Sequence, residues 1–354
     1  MAYPVAVVGV GKIARDQHLP AIAADPDFVL AAGVSRAAVS KVLRDAYGVS
    51  DAMRARVTAA MTELNYRPRI AARAMRGRTY TLGIELPDLA NHFFARIVRG
   101  ATGALEGTPY QLIIAPAEAG SREGLRALEA LVDRQVDGLI AVSPRVDEAG
   151  LERISASVPV VMFGRHDTSD RYDVVAGDDA AGAQAAMQHL LALGHTHIAH
   201  LTLPESDHAE PFPHGVRLRE YAAAMAAAGN RDRAVVWRTD EGEGNSYEVV
   251  RRTLETGTPV TAVFAAHDEL AFGAMRAAAE LGRHLSVVGY DAVPMASHPA
   301  LGLTTVHQPG EAMGARAVEM LLERFAGRTE PVHEGFEIEL KVRTSTARPP
   351  AEDR

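Results

Sequence analysis

Residues 30–44 read LAAGVSRAAVSKVLR. The first seven letters suit the second strand of a nucleotide-binding βαβ unit. From Ala32 onward the same letters suit a DNA-reading helix-turn-helix. One short segment cannot be a buried strand and a helix–turn at once, so the surrounding chain has to decide.

Charge speaks first. Residues 33–78 carry ten Lys/Arg, among them Arg36, Lys41, Arg69 and Arg73, against the acids Asp45, Asp51 and Glu63. That segment is +7 in a chain of net −8, which leaves −15 on the remainder. A basic module on an acidic body is the footprint of phosphate-backbone binding. At 354 residues the chain has room for two or three domains. With no cysteine, disulfides and thiolate metal sites are excluded. The apolar burst VAVVGVG ends at Lys12, too short for a signal peptide, and no run approaches a membrane span, which points to the cytoplasm.

From Tyr80 onward short apolar runs alternate with helical patterns. The strand candidates are LGIEL, YQLIIA, VDGLIAVS, VPVVMFG, DVVAG, HIAHLTL, AVVWR, VTAVFAA, LSVVGYD and GLTTV. Between them lie stretches such as SREGLRALEALVDRQ, with apolar residues at helical spacing. This rhythm predicts α/β architecture: two lobes with parallel sheets, and a ligand cleft at the carboxyl ends of the strands. Residues 33–78 read instead as short helices. Ser35 is placed to cap one that carries Val39, Val42 and Leu43 on one face. Ser50 is placed to cap another, with Val57, Met61 and Leu64 as its buried stripe. Pro68 and Gly77 bracket IAARAMR, too short to be stable alone in water.

Through GVSRAAVSKVLR…VSDAMRARVTAAMTELNYRPR, LGIELPDLANHFFARIVRG, VDGLIAVSP, HLLALGHTHIAHL, AVFAAHDELAFGAMRA, SVVGYD, LTTVHQP and KVRTST, the sequence resembles the LacI/GalR family of bacterial repressors. The resemblance runs over roughly residues 32–346. It implies an all-α helix-turn-helix headpiece, a hinge helix and a two-lobed, periplasmic-binding-protein-like sensor. Residues 27–67 would be the headpiece, 68–78 the hinge and linker, 79–346 the sensor and dimerisation domain, and 347–354 a tail. In the family the helix after GVS lies in the major groove. Arg36 and Lys41 would then face guanine, Ala37 a thymine methyl, and Ser35 and Ser40 the phosphates. Arg69 and Arg73 match the hinge helix, and Met75 falls where an apolar wedge enters the minor groove. The family usually has Thr at Ala38 and Asn at Arg44 and Arg69, so a phosphate hydrogen bond is lost and two cations are added. The family's effector positions fall at Asn91, Phe93, Ser143, Arg217, His267, Asp291 and Gln308. Arg217 is suited to fork onto vicinal oxygens, or else to pair with Glu220 on a helix surface. Asp291 is suited to accept from hydroxyls, or else to cap a turn, and His267 stands where asparagine is usual. The implied partners are double-stranded operator DNA, a small sugar-like effector and a second copy of the chain. No cofactor, metal or catalytic residue is implied.

Residues 1–31 resemble something else, the start of a Gfo/Idh/MocA-type NAD(P)-dependent sugar dehydrogenase. VAVVGV runs into Gly9-Val10-Gly11-Lys12-Ile13-Ala14, which fits G-x-G-x-x-G/A, and a helix and the strand FVLAA follow. The Glu-Lys-Pro signature of those enzymes is absent. The opening stretch is therefore a seam between a Rossmann-like fragment, 1–26, and a repressor. Everything after it needs a helix there, so Asp27–Ala32 is expected to be helical. The rival readings are a dehydrogenase and a sensor whose headpiece no longer holds DNA. GHTHIAH puts His195 and His197 on one strand face and His200 on the other, without a third ligand for a metal.

Overall fold

A computed structural model describes residues 3–8, 14–34, 39, 41–42, 47–63, 77–117, 121–142, 146–204 and 212–350. It divides into two compact units, Met1–Gly77 and Arg78–Arg354.

In the first unit, β1 (Tyr3–Val8) and β2 (Phe28–Val34) pair in parallel, from Tyr3 opposite Phe28 to Val8 opposite Val34. A π-type turn, Ala14–His18, and the helix α1 (Leu19–Ala24) connect them. This corrects the expectation for Asp27–Ala32, which is not helical. Phe28, Val29 and Val34 are strand formers, and a parallel partner with its crossover helix lies within thirty residues upstream. The nearby strand satisfies the backbone before a helix–turn would. Beyond it, Val39, Lys41 and Val42 are in helical backbone, with Lys41 exposed. The helix α2 (Asp51–Glu63) follows Ser50, whose Oγ accepts from Met53 N at 3.3 Å. Its buried residues are Val57 and Ala60. Met61 is only half-buried, and Leu64 lies outside the described residues.

The second unit holds two six-stranded sheets. The first lobe contains β3 (Thr81–Leu86), β4 (Gln111–Pro116), β5 (Gly138–Val142), β6 (Val160–Phe163), β7 (Asp173–Gly177) and β13 (His333–Phe336), ordered β13-β7-β6-β5-β3-β4 and parallel throughout. The second contains β8 (Ile198–Thr202), β9 (Val235–Arg238), β10 (Ala262–Ala265), β11 (Ser286–Asp291), β12 (Thr304–His307) and β14 (Glu339–Lys341), ordered β14-β12-β11-β10-β8-β9. Among the described residues only β14 runs antiparallel. Every strand candidate from Tyr80 to Val306 overlaps one of these strands, whereas β13 and β14, in HEGFEIELK, went unread. The sequence between these two strands crosses from lobe to lobe, as does the chain after Gly177 and after His307.

Helices cover both sheets. The first lobe carries α3 (His92–Ala104), α4 (Ser121–Asp133), α5 (Glu148–Ser155) and α10 (Gly310–Phe325). The second carries α6 (Asp179–Ala192), α7 (Pro213–Ala227), α8 (Glu243–Glu255) and α9 (Asp268–Glu280). Helices α3 and α10 touch backbone to backbone. A Cβ at Gly100 would fall 1.9 Å from Glu311 O, and one at Gly314 would fall 2.2 Å from Ile97 O. Strand order reverses between β3 and β5 in one lobe and between β8 and β10 in the other. Such switch points open a crevice at the carboxyl ends of the strands.

Candidate functional site

The second lobe's crevice is lined with charge. Asp178 caps α6, its carboxylate accepting from Ala181 N at 2.9 Å, and this fixes Asp179 at the first turn. Arg217, on α7, then meets Asp179: Nε and Nη2 lie 2.8 and 2.7 Å from Oδ1. Nη1 donates to Ala266 O at 2.5 Å, and the guanidinium lies 3.6 Å over the Tyr290 ring. Both charged groups are buried. Burial alone would raise the Asp179 carboxyl, but Arg217 and His166, whose Nε2 is 2.9 Å from Oδ2, hold it below the usual carboxylate range.

At the end of β10 the chain turns into α9 at His267 and Asp268. His267 is buried, its Nε2 2.9 Å from Glu241 Oε2, and its ring meets His214 edge-on at 5.9 Å. Burial works against a charge on this imidazole, but Glu241 outweighs it and its pKa is raised. Asp268 accepts from Thr305 Oγ1 at 2.6 Å and from Val293 N at 2.8 Å. Burial, reinforced by Asp291, pushes its carboxyl well above the ordinary range. Asp291 ends β11 with φ +107°, and Ala292 follows at +50°. That left-handed pair turns the chain sharply, a strained backbone for residues with a side chain. Gln308 Nε2 donates to Asp291 Oδ1 at 2.8 Å, and burial pushes the Asp291 carboxyl up to about 6.

The first lobe meets this site at the crossings. Gln308 lies against Gly177, where a Cβ would come within 2.6 Å of its Oε1. Phe93 packs on Gly310. Asn91 caps α3, its Oδ1 accepting from Phe93 N at 2.9 Å. In the first lobe's own crevice, Glu85 Oε2 accepts from Val142 N at 2.9 Å across the β3–β5 switch, while its other oxygen has no hydrogen-bond partner among the described residues. Burial pushes this carboxyl up to about 8.

The structure thus brings Arg217, His267, Asp291 and Gln308 into one charged cluster, with Phe93 and Asn91 at its first-lobe side. Arg217 pairs with Asp179, not with Glu220, and three of its donors are already engaged. Sequence reading missed Asp179, Glu241 and Asp268. The paired acids of GDDA after a strand, and the acid next to His267 in HDEL, were the available signals; nothing in the pattern marked Glu241. Ser143 lies outside the described residues, as do Ser35, Arg36, Ala37, Ser40, Arg69, Arg73 and Met75. His195 is tied to Thr261 Oγ1, Ser286 Oγ and Ala347 O at 2.8–3.1 Å, and His200 to Phe264 O at 2.9 Å. Among the described residues no cluster is suited to a metal ion, and no helix is long and apolar enough to cross a membrane.

Two sheets with reversing strand order, three crossings and a buried polar cluster beside them define a two-lobed small-ligand-binding fold. Residues 187–346 match the periplasmic binding protein-like domain, and residues 27–69 match bacterial regulatory proteins of the lacI family. The ribose operon repressor of Escherichia coli K12 is 32% identical over 311 residues, covering 86% of this chain and 93% of that protein. Two solved structures, each 28% identical, share the fold. The lac repressor dimer bound to operator and an anti-inducer superposes with a TM-score of 0.71 over 89% of this chain and 96% of its own. A LacI family transcriptional regulator from Enterococcus faecium with bound ribose superposes at 0.68 over 76% of this chain and 100% of its own. The chain belongs to the lacI family of bacterial regulatory proteins. Its relatives are transcriptional regulators.

Proposed function

We propose that the chain is a cytoplasmic, homodimeric repressor that binds double-stranded operator DNA under the control of a small sugar-like effector. It is not an enzyme on this reading. Residues 27–67 read DNA, 68–78 form the hinge, and 79–346 bind effector and dimerise. Arg36, Ala37 and Lys41 contact bases, Ser35 and Ser40 phosphates, and Arg69, Arg73 and Met75 the central minor groove. Arg217, His267, Asp291, Gln308, Asn91, Phe93 and Ser143 hold the effector. The observation that carries the reading is the buried cluster around Arg217 at the crossings between lobes. A ligand seated there bears on both lobes at once, and their closure couples to the headpieces through the dimer. Selection of bound sequences from a random duplex pool, repeated with and without a panel of sugars, tests it. A palindrome released by one of the sugars is expected; no enriched palindrome would end the repressor reading.

The strand–helix–strand of β1, α1 and β2 favours a second reading for residues 1–26, a Rossmann-like beginning. NADH fluorescence titration separates the two: stoichiometric micromolar binding, lost in Gly11→Asp, belongs to a dehydrogenase, and no binding belongs to the repressor.

A further inference from the structure

The effector site holds more acid than base. Asp179, Asp268 and Asp291 are buried in it, and Glu241 stands at its rim with its side chain 36% exposed. The fixed cation among them is Arg217, and it is committed to Asp179 and to the Ala266 carbonyl. The imidazoles that face the cluster are themselves set against acids, His166 against Asp179 and His267 against Glu241. His214 stands edge-on to His267. The upward shifts of Asp268 and Asp291 carry the same message, since buried carboxyls rise where positive charge is too scarce to hold them ionised. His267 Nδ1 has no hydrogen-bond partner among the described residues, although the ring is almost fully buried. An unpaired polar atom at such depth calls for a ligand atom.

We propose that this site admits only effectors without negative charge, uncharged or amine-bearing polyols, and that the Glu241–His267 pair is the filter. Hydroxyls and amines supply the donors that Asp291 accepts. A phosphate or carboxylate on the effector needs a free cation; Arg217, His166 and His267 each face a carboxylate, and Arg96 is spent on the carbonyls of Asp291 and Ala292. In a water-poor crevice the added anion would meet the carboxylates of Asp179, Asp291 and Glu241, Asp268 being held protonated by its burial, and screening by solvent and salt is weak there. Glu241 acts twice, adding its own negative charge at the rim and offsetting the charge of the His267 imidazole 2.9 Å away, so that Nδ1 is left for a neutral ligand atom. The inference rests on the effector-site reading above.

Matched probes test it by calorimetry: ribose with ribose 5-phosphate, and glucose with glucosamine, gluconate and glucose 6-phosphate. On whichever scaffold binds, the neutral or amino member is expected to bind at least about tenfold more tightly than the anionic one, a difference of about 1.4 kcal/mol. Glu241→Gln should narrow that ratio by about tenfold. His267→Asn, which strips the rim acid of its partner, should widen it. Equal or tighter binding of the anionic member by the wild type overturns the proposal, as does a ratio that neither substitution moves. If no probe binds wild type or either variant, the effector-site reading fails and takes this inference with it.

Discussion

Residues 28–34 and residues 286–291 are both short apolar strands, FVLAAGV and SVVGYD, and they differ in company. The second lies between β10 and β12 in a six-stranded sheet. Among the described residues the first has one neighbour, β1, in a sheet of two. A central strand is held by ladders on both edges and helices on both faces, and its pattern has no rival. A lone pair of strands is marginal on its own. The amino-terminal unit therefore shows how an ambiguous stretch resolves by its nearest partner, and the two-lobed unit how redundancy removes ambiguity. Substitutions in the two units should differ in size accordingly.

The largest effect is expected inside the two-lobed unit. Arg217→Ala leaves the Asp179 carboxylate buried beside one imidazole, that of the exposed residue His166. Breaking a buried pair from one side costs about 3–5 kcal/mol. Urea unfolding at pH 7 should show a loss of that size, and effector binding should vanish with it. A loss under about 1 kcal/mol would mean that the pair does not hold the second lobe together.

Next comes Glu85. Its folded pKa is raised to about 8 from an ordinary 4.5, so the native state keeps a proton that the unfolded chain releases. Stability is then full below pH 4.5 and is lost as pH climbs towards 8. The shift corresponds to a loss on the order of 5 kcal/mol. Glu85→Gln keeps the shape and cannot ionise. The stability difference between variant and wild type should grow steadily from pH 5 to pH 8, as followed by urea midpoints. A difference that stays flat across that window would show that Glu85 titrates normally and that the first lobe's crevice is wet.

What was legible in the sequence follows the same division. Strands such as GLIAV, VVMF and AVFA announced themselves, because runs buried on both faces leave no other reading. Strands β13 and β14 did not, since HEGF and ELK consist of exposed and half-buried residues at the edges of their sheets. Site residues came from motif positions, and their use of hydrogen bonds did not. Nothing in the letters says that Arg217 spends Nε and Nη2 on Asp179, or that Glu241 reaches His267. Those are contacts between segments 38 and 26 residues apart, set by the sheet and not by local pattern. At the seam, family likeness favoured a helix for Asp27–Ala32 and outweighed the strand pattern of FVLAA. The neighbouring strand β1 reverses that order.

A smaller effect should follow from breaking the amino-terminal pair. Val7→Pro removes a backbone N–H from β1 and fixes φ at about −65°, away from the value of about −120° that a parallel strand takes, which disfavours pairing with β2. With its one partner disrupted, β2 is free to join the helical headpiece that residues 27–69 match. Operator affinity should rise by about tenfold, or about 1.4 kcal/mol, and helical circular dichroism should increase. Deleting residues 1–23 should do the same. Unchanged affinity in both variants would mean that strand pairing and DNA binding do not compete for residues 28–34.

The smallest expected effect belongs to the weaker of two links between the lobes. His92 Nδ1 lies 2.7 Å from Glu269 Oε1, joining α3 to α9, but the imidazole is 63% exposed. Such a pair is solvated and screened, and contributes roughly 0.2–1 kcal/mol. Arg96, one turn further along α3, is only 14% exposed at its side chain and donates from Nη1 to the carbonyls of Asp291 and Ala292, each at 3.2 Å. It holds the two left-handed residues that turn the chain at the effector site. His92→Ala should therefore change stability by less than about 1 kcal/mol, with the remaining difference vanishing in high salt. Arg96→Ala should cost more, about 1–3 kcal/mol, because a charged donor to two carbonyls is lost and salt cannot replace it. Measuring both in low and high salt decides whether the lobes are joined at their rim or at the backbone of the site. A salt-sensitive Arg96 and a salt-insensitive His92 would reverse the assignment.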